Sequence, residues 1–186
     1  MTSSFMLWTG LGVLLFWSVG AYNRMMRLRS AALQAFAALD AQLLRQLELL
    51  QSCLPASMKS SLLTQPGELL DEVAMLWIGL RSAAAQFAAS LAAARAHPLD
   101  GEAMAALAAA RGVLDTTWCR MQHAAHDLAG APVSETVQSQ WEQLVLQVRA
   151  VSDNFNQAVT RYNAAIAQFP ALLLARVFGF KAARTI

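Results

Sequence analysis

FMLWTGLGVLLFWSVGAY (residues 5–22) runs straight into NRMMRLRSAALQAFAALDAQLLRQLELLQSCL (residues 23–54), with no turn signal between them. The first part carries no charge. About twenty helical residues at 1.5 Å rise span the ~30 Å hydrocarbon core of a bilayer. Trp8 and Tyr22 fall near its two ends, where amphipathic rings anchor at the interface. Gly10, Gly12 and Gly20 are tolerated there, because lipid offers the backbone no other hydrogen-bond partner. The segment therefore predicts a transmembrane anchor over residues 1–22. A cleaved signal peptide is the competing reading. It wants a positively charged start, which is absent apart from the α-amine, although Val19-Gly20-Ala21 could serve as a small-residue cleavage site. Arg24, Arg27 and Arg29 follow at once. Such clusters stay on the cytoplasmic side, so the body is expected in the cytoplasm.

The second part is amphipathic. Met25, Leu28, Ala32, Ala35, Phe36, Leu39, Leu43, Leu47, Leu50 and Leu54 step by three and four, which marks one face of a helix. Pro55 ends or bends it. Three more helices follow. The second starts near Glu68 and carries Leu69, Val73, Leu76, Trp77, Leu80, Ala84, Phe87 and Leu91 up to His97-Pro98. The third opens on Asp100 as N-cap, carries Met104, Leu107, Ala110, Leu114, Trp118, Met121, Ala125 and Leu128, and stops at Gly130-Ala-Pro132. The fourth is capped by Ser134 and keeps its stripe (Val137, Trp141, Leu144, Val148, Val151, Phe155, Ala158, Tyr162, Ile166, Phe169) to Pro170. Four long helices with short connections predict an all-α, antiparallel, up-and-down four-helix bundle over residues 23–170. The fourth helix then returns to the membrane face. An amphipathic basic tail over residues 171–186 follows, fit either to lie in the interface or to pack on the bundle base.

The net charge of +2 in 186 residues is too small to imply nucleic acid. Its distribution says more. Arg24, Arg27 and Arg29 sit at one end, Arg176, Lys181 and Arg184 at the other, and no acid follows Asp153. Both basic ends suit anionic lipid head groups, and Phe178 and Phe180 add apolar contact. Two cysteines, Cys53 and Cys119, make no disulfide framework and are compatible with a reducing compartment.

Two stretches resemble the LemA family. One is Tyr22-Asn-Arg-Met-Met-Arg-Leu-Arg29 with Ala35-Phe-Ala-Ala-Leu-Asp-Ala-Gln-Leu43 and Arg45. The other is Arg161-Tyr-Asn-Ala-Ala-Ile166 with Phe169-Pro170, Leu172 to Leu174 and Phe178-Gly-Phe-Lys181. The resemblance implies a single-pass inner-membrane protein with a four-helix body and no established enzymatic activity, in a family one branch of which helps form magnetosome membranes. The chain departs from it at Glu48-Leu-Leu-Gln-Ser-Cys53, where family members usually carry Asp-Leu-Ile-Pro-Asn-Leu.

Candidate chemistry is sparse. Asp115, Cys119, His123 and His126 fall within about 80° of one another on the third helix. Cysteine and histidine bind zinc and an aspartate can add an oxygen, so a metal-binding sensor or enzyme is the alternative function. The set borders the core stripe, no second half of a motif is found, and ordinary boundary residues are the favoured explanation. No glycine-rich phosphate loop is present and Cys53 has no histidine near it in sequence, so no catalytic or cofactor-binding residues are expected. Asp40, in the recognised segment, is a candidate partner site. A solvated charge paired with Arg45 accounts for the same position. The expected function is a non-enzymatic, membrane-anchored scaffold or adaptor that contacts anionic lipid and a protein partner. Self-association of the anchors is a third reading.

Overall fold

The computed structural model describes residues 2–54, 72–127, 133–169 and 171–186, with the side chains of all but 2–7, 72–73 and 124–127. The loop expected at 63–67, the start of the second helix near Glu68, Gly130 to Pro132 and Pro170 lie outside the described residues. Five helices are described: α1 (Thr2–Cys53), α2 (Glu72–Ala96), α3 (Gly101–Asp127), α4 (Glu135–Ala167) and α5 (Ala171–Val177). No strand occurs among the described residues.

α1 crosses from the apolar segment into the body without a break, as its uninterrupted helix-forming composition dictates. Its partner along most of the body is α4. Trp17 meets Phe169, and Phe36 meets Phe155 edge-on at 5.9 Å, so numbers rise on one helix as they fall on the other. α2 and α3 form a second antiparallel pair, closed by a turn at 97–100. Asp100 Oδ2 accepts from the N–H groups of Glu102 and Ala103 at 3.1 and 2.9 Å, which makes it the expected N-cap. Long side chains join the pairs. Trp118 of α3 stacks on Trp141 of α4 with ring centroids 4.4 Å apart, and the Arg111 guanidinium donates to Ser152 Oγ at 3.3 Å. Arg95 of α2 reaches Asp40 of α1 at 2.6 Å. The order around the bundle is α1, α2, α3, α4, each antiparallel to the next, as the sequence predicts.

The core runs along all four helices, from Met25 and Phe36 through Leu107 and Trp118 to Phe155 and Tyr162. Two details differ from the expected stripes. On α4 the buried line includes Ser152 and Val159, while Phe169, expected inside, is 79% exposed. On α1, Gln46 is fully buried, and its amide has no hydrogen-bond partner among the described residues. Such a group costs about 1–3 kcal/mol relative to an apolar one. Ser134 stands at the N-cap position of α4, but its side chain makes no capping bond. Its carbonyl instead accepts from Val137 and Gln138.

The two pairs are not level at the base. The α2–α3 turn sits beside Arg29 and Leu33, some way up α1, while α4 descends to meet Arg24 and Trp17. The floor below the shorter hairpin is made by α5 and the tail. α5 ends in a Schellman turn: Gly179 takes φ 70°, and Phe180 N–H reaches back to the Ala175 carbonyl at 2.9 Å. The chain then runs back up α4. Asn163 exchanges two hydrogen bonds with the backbone of Ala183 (2.8 and 2.9 Å), and Asn156 does the same with Ile186 (both 2.9 Å). Seven helical residues rise about 10.5 Å and three extended residues cover about 10 Å, so the registers match. The tail thus divides its roles. Residues 180–186 pack on the bundle, and α5 lies alongside the lower part of α1.

Among the described residues, no helix is long and apolar enough to cross a membrane. The anchor expected over residues 1–22 is not supported among the described residues.

Candidate functional site

The base of the molecule concentrates the features that could act. From residue 8 to 19 of α1, Trp8, Leu11, Val13, Leu14, Leu15, Phe16, Trp17 and Val19 are exposed, Phe16 by 84%. At 100° per residue these side chains point to all sides, with no gap wider than about 60°. Beside them α5 and its flanks expose Phe169, Leu172, Leu173, Val177 and Phe178. Trp17 lies 6.5 Å from Phe169 and Tyr22 5.0 Å from Phe178, so the two sets form one continuous apolar surface. Arg24, Arg27 and Arg29 on α1, and Arg176, Lys181 and Arg184 on the tail, are all exposed around its upper rim.

Of the residues proposed from sequence for lipid contact, Tyr22, Phe178 and Phe180 come together in one aromatic cluster. Phe180 is the exception to outward pointing. It is half-buried against the core and Tyr22. Two clefts open here. One, of about 320 Å³, lies between the lower part of α1 and the end of α4, from Trp17 to Ala171. The other, of about 560 Å³, lies between α1, the α2–α3 turn and the tail. Sequence reasoning missed the second, because it is made by three segments far apart in the chain. Tyr162 stands at its wall. Its hydroxyl donates to the Lys181 carbonyl at 3.0 Å; burial raises its pKa, partly offset by the Arg29 charge.

The other candidates are dispersed. Among the described residues, no group of three histidine, cysteine, aspartate or glutamate side chains stands close enough to hold a metal ion. The His123 ring nitrogen Nδ1 lies 2.7 Å from the Cys119 carbonyl, an exposed contact within its own helix. Asp115 faces Arg111, and the side chain of His126 lies outside the described residues. Cys53 and Cys119 are unpaired. Asp40 pairs with Arg95 across α1 and α2, not with the neighbouring Arg45, because the next helix brings a cation closer than its own does. At this exposure such a pair contributes about 0–1 kcal/mol.

Asp115 carries a testable pH signature. Burial raises its pKa, with Arg111 at 3.9 Å offsetting part of the rise. A carboxyl whose pKa is higher in the folded chain binds more protons there. Its contribution to stability therefore falls as pH rises from the ordinary carboxylate range through the raised value. Asp115→Asn should remove that fall. Relative to wild type it gains less than about 1 kcal/mol at neutral pH and nothing at pH 3, as read from urea midpoints at both pH values.

A helical bundle from which an unpaired apolar helix projects, rimmed by cations, is the class that fold and surface define. The chain belongs to the LemA family, whose model matches residues 62–186. The match takes in Arg161-Tyr-Asn and Phe178-Gly-Phe-Lys181, and also the middle helices, for which the sequence offered no motif to quote. The Tyr22 to Leu43 half of the resemblance lies outside it. No curated protein and no solved structure matches the chain.

Proposed function

We propose that this protein is a single-pass, membrane-anchored helical scaffold of the bacterial inner membrane, with its body on the cytoplasmic side and no catalytic role of its own. The carrying observation is the first part of α1, whose apolar side chains are exposed in every direction. A helix apolar all round belongs inside something apolar. The sequence carries no charged side chain from Met1 to Asn23, and its apolar part from Phe5 to Tyr22 is about 27 Å long as a helix. α5 then lies along the membrane surface, with Leu172, Leu173 and Val177 toward the acyl chains and Arg176, on the same face in its last turn, snorkelling up to the head groups. The outer faces of the bundle are left for a protein partner.

Leu14 stands near the middle of the run. An arginine at a membrane midpoint costs about 2.5–3.5 kcal/mol of insertion. Leu14→Arg should therefore move a large share of the chain from the carbonate-resistant membrane pellet to the soluble fraction, whereas wild type stays in the pellet. Wild type found in the soluble fraction would sink the anchor. Orientation is read separately, by a reporter fused after Ile186 that is active on one side of the membrane only. Signal from the far side would overturn the arginine argument.

A further inference from the structure

The 560 Å³ cleft beneath the α2–α3 turn has the size of a ligand site and a chemistry the anchor does not require. Its lower wall is aromatic, made by Tyr22, Phe178 and Phe180. Its upper part carries two cations, Arg29 on α1 and Lys181 on the tail. Among the described residues neither is in an ion pair. The one carboxylate lining the cleft, Asp100, is engaged by two backbone N–H groups of α3. The cleft is thus positive above and apolar below. Lys181 is held in place by its own backbone, since its carbonyl accepts from Tyr162.

The height fits the chemistry. Arg29 stands about 10 Å along the helix from Tyr22, and the head-group layer adds about 5–8 Å beyond the hydrocarbon core on each side. An occupant would meet aromatic rings at the level of the acyl chains and cations at, or just above, the level of the phosphates. That is the polarity of one anionic phospholipid standing upright, phosphate uppermost. We propose that this cleft binds the phosphate-bearing head group of a single anionic lipid, through Arg29 and Lys181. The inference rests on the membrane-anchored reading and names a specific ligand within it. Diffuse attraction of a basic rim to a charged surface requires no cleft; this site does.

The test uses the full chain in neutral detergent micelles doped with phosphatidylglycerol or phosphatidylcholine, with retained lipid counted by native mass spectrometry. One phosphatidylglycerol should be retained in preference to phosphatidylcholine. Each cation at a lipid surface is worth about a five-fold change in affinity, so Arg29→Gln with Lys181→Gln should weaken that retention about 30-fold. Arg24→Gln with Arg27→Gln removes the same charge outside the cleft and should leave the retained lipid in place. Equal loss in both double variants would overturn the site in favour of diffuse attraction, and no loss in either would overturn it outright. Inorganic phosphate that displaces phosphatidylglycerol at equal concentration would overturn the lipid as ligand. Because Arg29 and Lys181 are exposed, the double variant keeps its helical melting curve and its place in the membrane pellet. Failure of the site is thereby distinguished from failure of the anchor.

Discussion

Phe155→Ala should lower the unfolding free energy by about 3–5 kcal/mol, the range for removing a fully buried aromatic ring from a packed core. The ring has no exposed surface and sits edge-on to Phe36 at the centre of the α1–α4 pair. That pair packs most extensively among the described helices, and it is the one that ties the projecting helix to the body. Whole-chain stabilities are typically about 5–15 kcal/mol, so a loss of this size removes a large share of the total. Urea titration in neutral detergent, followed by helical signal, reads it directly. A loss under about 1.5 kcal/mol would mean that the pair is held elsewhere, and the assignment of α1 and α4 as the structural spine would fall.

Most of this spine was legible before any coordinates. Met25, Phe36, Leu39, Leu43, Leu47 and Leu50 follow a three–four spacing on α1, and all are buried. The omissions on α4 have a common cause. A stripe drawn as a single line gives Val151 and Ala158, which do pack partly buried against the core, but a helix packed between two neighbours buries a band. The band drifts to Ser152 and Val159 because 3.6 residues per turn does not close on seven. Gln46 was not found, since a polar residue on an apolar line reads as a face boundary. Phe169 was expected inside because it continues the stripe, yet α4 stops at Ala167 and the ring turns out beside Trp17. Pairings across the chain, such as Asp40 with Arg95, leave no trace in local spacing. The cleft is hidden for the same reason. Its cations come from residues 29 and 181, and only the tail's path brings them together. One signal could have revealed that path: two asparagines seven apart on α4, each able to offer a donor and an acceptor to an extended strand.

Those asparagines carry the second large effect. Asn156→Ala with Asn163→Ala should release residues 182–186 from the bundle while leaving the four helices folded. The argument is one of balance. Four hydrogen bonds at about 0.5–1.5 kcal/mol net contribute about 2–6 kcal/mol. Holding five residues in one backbone conformation costs about 5–10 kcal/mol, and burial of Ala183 and part of Ile186 offsets only some of it. The docked tail is therefore marginal, and losing both clamps should tip it. Arg184 is the reporter. Trypsin needs the flanking backbone free, and in the docked tail the Ala183 backbone is engaged by Asn163, so cleavage after Arg184 should be slow in wild type and fast in the double variant. Asn163→Asp keeps an acceptor for the Ala183 N–H but loses the donor to its carbonyl, and should fall between them. Equal cleavage of wild type and double variant would mean that the clamp does not hold the tail. The consequence reaches the cleft. Lys181 stays anchored at Tyr162 even when the residues beyond it are free, because that bond uses its carbonyl and not the asparagines. Lipid retention should then weaken less in the clamp variant than in Arg29→Gln with Lys181→Gln, since a loosened cation is still a cation.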